Sequence, residues 1–102
     1  MGRKVFIAAR DLVFRSKLGA VVAAGGGEVV RDAVMCELAL VEIEGPDWEA
    51  LVRTLVTRGV PVVAFGAHVR ADLLRAARDA GATAVPNSGV EHRLRSLLAL
   101  PI

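Results

Sequence analysis

A three-layer α/β fold, with five short parallel strands sandwiched between helices, is what this chain of 102 residues predicts. Its apolar residues change period along the sequence, alternating short β-rich runs with longer stretches at helical spacing. Glycine or proline stands between the segments. The first run that reads as a strand, Val5 to Ala9, is apolar without alternation, the mark of a parallel strand buried on both faces.

Val5 to Ala9 reads as the first strand. Asp11 then caps a helix in which Phe14, Leu18, Val21 and Val22 share one face. Gly25, Gly26 and Gly27 stop it; because the triplet follows a helix rather than opening one, it is a terminator and not a phosphate loop. Glu28 to Arg31 makes a short second strand and Leu38 to Ile43 a stronger third. Pro46 or Asp47 opens a helix that buries Trp48, Leu51, Val52 and Leu55 before Gly59 ends it. Pro61 to Phe65 is the fourth strand, followed by a helix from Arg70 to Ala80 with Leu73, Leu74 and Ala77 inward and Gly81 at its C′ position. Thr83 to Val85 is the fifth strand. The last helix has Ser88 as its cap and Glu91 three residues on, a capping-box pattern, with Val90, Leu94, Leu97 and Leu98 on one face. Between the second and third strands lie only residues 32–37, whereas a helical crossover takes about a dozen residues. Fully extended, that segment reaches roughly 20 Å, so a strap or a single turn fits there and a full helix does not.

A hydrophobic content of 54% with 24% charged residues fits a folded globule. The longest charge-free stretches, Leu18 to Gly27 and Gly59 to Val69, are about half of the ~20 residues a membrane helix needs. The run Val5 to Ala9 is broken at once by Arg10 and Asp11, unlike a signal peptide, and the lone Cys36 allows no internal disulfide. These features predict a stand-alone cytoplasmic domain spanning residues 1–102, without an output domain. Net charge is +2, but residues 1–51 hold six basic and eight acidic groups (−2) and residues 52–102 hold seven and three (+4).

In open parallel sheets, ligands and catalytic groups collect at the carboxyl ends of the strands. Those positions hold Arg10 and Asp11, Glu42 and Glu44, Gly66 to His68, and Asn87 and Ser88. The segments KVFIAARDLVFRSKLGAVVAAGG, ELALVEIEGPDWEALVRTL, GVPVVAFGAHVRADLLRAARDAGATAV and SGVEHRLRSLLAL resemble the receiver (CheY-like) domains of two-component response regulators over nearly the whole chain. The Pro-Val-Val-Ala strand and the Ala-Gly-Ala-Thr-Ala stretch are the most specific parts. The resemblance implies a flavodoxin-like sheet in the order 2-1-3-4-5, with the second crossover helix shortened or missing. It also implies phosphoryl transfer from a histidine kinase to an aspartate on the third strand, at a site with an acidic pair for Mg²⁺, a Ser or Thr on the fourth strand and a Lys after the fifth. Here the acidic-pair positions hold Ala9 and Arg10, followed by Asp11. The acceptor position holds Glu42, one methylene longer; the hydroxyl position holds Gly66; the lysine position holds Ser88, followed by Gly89. These departures imply a pseudo-receiver that has lost phosphorylation, with no enzymatic activity, cofactor or metal.

An unpaired carboxylate at a sheet end is costly, and Arg10 has the sign and length to reach Glu42, so an Arg10–Glu42 ion pair is expected in place of the metal chemistry. Glu42 otherwise mimics a phosphorylated acceptor or sits solvated at its strand end. His68 has no second ligand at metal-binding spacing and reads as a loop histidine, His92 reads as a surface residue among Arg93 and Arg95, and Cys36 reads as a small buried hydrophobe. Arg70, Arg75, Arg78, Arg93 and Arg95 decorate the last two helices, the face that receivers use for dimerising or docking. The expected function is therefore a non-catalytic regulatory module that binds a protein partner or a second copy through those helices and the fifth strand. The alternative is a residual phosphoacceptor or small-ligand domain using the strand-end pocket. Nucleic-acid binding through the arginines is the weaker reading: Phe6, Phe14, Phe65 and Trp48 point inward by pattern and there is no Tyr, which leaves no stacking platform.

Overall fold

A computed structural model of the chain describes residues 3–99. In chain order it contains β1 (Lys4–Ala8), α1 (Leu12–Ala24), β2 (Glu28–Val30), β3 (Leu38–Glu42), α2 (Trp48–Thr57), β4 (Val62–Gly66), α3 (Ala71–Asp79), β5 (Thr83–Pro86) and α4 (Val90–Leu97). Single 3-10 turns at Ala33–Met35 and Asn87–Gly89 fill two of the connections. The strands form one parallel sheet, as the residue pattern predicts, in the order β2-β1-β3-β4-β5 that the resemblance implies.

Parallel sheets must be covered on both faces, and the apolar residues divide accordingly. Val5, Ile7, Leu38, Leu40, Val63 and Phe65 pack with Leu18, Val22, Val90 and Leu94 beneath α1 and α4. Ala39, Val41, Val62 and Ala64 pack with Trp48, Val52, Leu55, Leu74 and Ala77 beneath α2 and α3. The alternate residues of β3 and β4 thus serve both cores, which is why these strands lack a polar face.

The first three helices end alike, with glycines at 26, 59 and 81 taking positive φ. In each, the next two amides reach back to carbonyls of the last turn, as in Val60 N–H to Leu55 O at 3.0 Å and Ala82 N–H to Ala77 O at 3.0 Å. At the start of α1 the Asp11 carboxylate accepts from the amides of Val13 (2.9 Å) and Phe14 (3.3 Å), as expected of a cap. Asp11→Ala is expected to cost about 1 kcal/mol of stability in urea unfolding, with Asp11→Asn close to wild type.

The start of α4 differs from the sequence reading. Ser88 lies inside the 3-10 turn, the N-cap is Gly89, and no side chain caps the helix. β5 runs on to Pro86 and the turn consumes the next three residues, so Glu91 falls in the first turn and pairs with Arg95 (3.2 Å) and Lys17 (4.0 Å) instead of a capping partner. Leu97, expected inward, is 36% exposed.

The β2–β3 connection is the single turn that its length allows. Asp32 accepts from Val34 N–H at 2.9 Å, and Arg58 at the end of α2 donates to the carbonyls of Ala33 (3.3 Å) and Val34 (3.0 Å). Cys36 is buried beside it and donates to Ala33 O at 3.0 Å. Burial raises its thiol pKa above the ordinary value, against the opposing charge of Arg58. The thiolate is the reactive form, so iodoacetamide is expected to modify Cys36 far more slowly in the folded protein than in urea, with the rate rising as pH climbs past the ordinary thiol range.

Candidate functional site

The carboxyl ends of β1, β3, β4 and β5 bring the strand-end residues to one rim of the sheet. Half-buried Glu42 closes β3. Its Oε1 accepts from the amide of Arg10 at 2.7 Å and from that of Asp11 at 3.2 Å, tying β3 to the turn between β1 and α1. The carboxylate of Asp11 is itself committed to capping α1. Both acids therefore spend acceptor capacity on backbone amides.

The expected Arg10–Glu42 ion pair is absent from the ion pairs among the described residues. The backbone amides next to Glu42 hold its carboxylate without help from the guanidinium. Arg10 instead lies over the β3–α2 loop, where Gly45 has φ +78°, and a Cβ at Gly45 would come within 2.9 Å of Arg10 Nη2. This glycine both supplies the left-handed turn and makes room for the cation.

Gly66 ends β4, and a Cβ added there would come within 3.2 Å of Ile43 Cβ. A hydroxyl-bearing residue fits only if Ile43 shifts. Beyond β5, Ser88 is exposed, whereas its neighbour Asn87 turns inward and its Oδ1 is buried without a hydrogen-bond partner. A cleft of about 510 Å³ opens at this rim, lined among others by Glu42, Glu44, Trp48, Gly66, Arg70 and Asn87.

Two lining residues add to the sequence reading. Trp48, a core residue by its spacing, is buried in the core under α2 and also borders the cleft. Arg70, counted with the arginines of the third helix, is the N-cap residue of α3, at the strand-end rim. It pairs with Asp72 at 3.5 Å, and the hydrogen bond from Arg70 holds the Asp72 carboxyl below its ordinary pKa.

The other four arginines flank β5, with Arg75 and Arg78 on α3 over one face of the sheet and Arg93 and Arg95 on α4 over the other. Arg78 donates to the carbonyl of Ala84 on β5 at 3.2 Å, and Arg95 pairs with Glu91. Arg75 and Arg93 are exposed and make no ion pair among the described residues. His68 and His92 are both exposed, and no cluster of three or more metal-ligating side chains occurs among the described residues.

No family model matches the chain, and no curated protein matches it. Its similarity to solved structures is extensive. NtrX from Brucella abortus superposes with a TM-score of 0.76 at 18% identity, over 97% of this chain and 26% of that one, so this chain spans about a quarter of NtrX. A CheY-like receiver domain protein from Methanospirillum hungatei gives a TM-score of 0.73 at 16% identity, covering 97% of this chain and 95% of that one. A response regulator protein from Burkholderia multivorans gives 0.68 at 23% identity, covering 100% and 98%. With the same strand order and the same helices about the sheet, the chain has the fold of response regulator receiver domains.

Proposed function

We propose that this chain is a non-catalytic signalling module, a pseudo-receiver that acts by binding a protein partner in the cytoplasm through α3, β5 and α4. The observation that carries the reading is the state of Glu42, whose carboxylate is already held by the amides of Arg10 and Asp11 at the place where receivers accept a phosphoryl group. A divalent cation needs several oxygen ligands. In their place the rim offers Glu42 bound to amides, Asp11 used as a helix cap, the guanidinium of Arg10 and the carboxylate of Glu44, with no cluster of three or more ligating side chains among the described residues. These residues do not fit Mg²⁺. The arginines beside β5 supply the docking chemistry, since arginine is favoured at protein interfaces.

Incubation with acetyl phosphate and Mg²⁺ is expected to leave the intact mass unchanged, and Glu42→Asp is expected to behave the same way because Gly66 contributes no hydroxyl. Addition of one phosphoryl group to the wild-type chain would overturn the reading.

The buried acceptor at Asn87 favours a second reading, in which the strand-end cleft takes a small ligand bearing a hydrogen-bond donor. Saturable shifts of the Asn87 and Trp48 NMR resonances on adding such a molecule would support it over the interaction module.

A further inference from the structure

The sheet face under α2 and α3 is one helix short. Because the β2–β3 connection is a single turn, no α-helix among the described residues lies over β1 on this face, and a groove of about 500 Å³ opens beside α2. Phe6 and Ala8 of β1, Val41 of β3, and Trp48 and Leu51 of α2 give it an apolar floor. Its two sides carry opposite charge at Arg15 on the α1 side and at Glu44 and Asp47 on the α2 side, while the Arg10 guanidinium reaches to Gly45 of the β3–α2 loop. Between the two arginines in sequence stand Leu12 and Val13, 72% and 71% exposed on the first turn of α1. One corner of the molecule thus holds an apolar groove, an uncovered apolar pair, a basic wall and an acidic wall.

Leu12 and Val13 cannot fold back into their own groove. The Asp11 cap and the bonds from Glu42 to the amides of Arg10 and Asp11 fix the start of α1, and Leu18, Val21 and Val22 anchor the rest of the helix in the core. A two-fold axis solves the geometry, because it sets each basic wall against the acidic wall of the other molecule and so makes the patch complementary to itself. We propose that the occupant of this groove is a second copy of the chain, each copy inserting Leu12 and Val13 over the other's Phe6, Ala8 and Leu51 and placing Arg15 against the other's Glu44 and Asp47. This surface is separate from the arginines beside β5 and does not depend on the function assigned to them.

Sedimentation velocity of the full chain over a wide concentration range tests this. Expected is a monomer–dimer equilibrium whose Kd rises at least about tenfold, or 1.4 kcal/mol, in Leu12→Asp and in Arg15→Glu. The charge swap Arg15→Glu with Glu44→Arg is expected to restore it. All three sites are exposed, so the variants are expected to keep the wild-type melting profile. A chain that stays monomeric at every concentration overturns the proposal. So does a dimer indifferent to Leu12→Asp and Arg15→Glu, or one that the charge swap fails to restore.

Discussion

Replacing Phe65 with Ala is expected to lower stability by about 3–5 kcal/mol, the cost of removing a buried aromatic ring and leaving a cavity. The ring is wholly buried in β4 and packs on Phe14 of α1 with centroids 5.4 Å apart and planes inclined at 50°. That contact adds to the burial term. A domain of this size has about 5–15 kcal/mol to lose, so the variant is expected to sit near the edge of folding at 37 °C. Urea titration followed by Trp48 fluorescence reads it as a lower midpoint with an unchanged slope. A loss below about 1 kcal/mol would show that the ring is not packed as described. The effect reaches the strand-end rim, because Phe65 pairs in register with Glu42 and its carbonyl accepts from Ile43 N–H at 2.8 Å. Loosening this residue also loosens the carboxylate that holds the turn between β1 and α1.

Gly81→Ala is expected to cost about 2–5 kcal/mol, more than a routine glycine substitution. The residue has φ +102°, and a Cβ there would come within 2.7 Å of Val56 Cγ1 on α2. Left-handed backbone costs about 1–2 kcal/mol for a residue with a Cβ, and forcing a methyl into a packed contact costs typically 1–3 kcal/mol. Gly59 separates the two effects, since it ends α2 with φ +79° and has open space where its Cβ would stand. Gly59→Ala is therefore expected to show the backbone cost alone, and the difference between the two variants in thermal unfolding measures the steric part. Equal losses would remove the packing of α3's end against α2 as a source of stability.

The elements were legible because their signals are local. The apolar period changes at each boundary, and the glycines at 26, 59 and 81 stand where a helix must reverse its chain. The missing crossover helix was legible from length alone, since residues 32–37 cannot wind one. What failed was local reasoning about groups with competing partners. Ser88 has the residue type and spacing of a cap, but continuation of β5 to Pro86 moved the helix start past it. Arg10 and Glu42 have opposite charges at neighbouring strand ends, yet a backbone amide at 2.7 Å already holds the carboxylate, and amides have no signature in sequence. Arg70 belongs by sequence to the arginine-rich helix, but an N-cap residue sits at the strand-end rim. Asn87 borders the cleft at the strand end where its place after β5 puts it, whereas core-spaced Trp48 borders it as well, which periodicity does not encode.

The two borders of the sheet are unequal. β5 lies under the guanidinium of Arg78 and finishes in Pro86, which has no N–H to offer a neighbouring chain, whereas β2 is three residues long with Val29 46% exposed. Charge and proline on an outermost strand deter foreign strands from adding to it. A foreign strand is thus deterred at the β5 border by charge and proline, and at the β2 border it finds a template only three residues long.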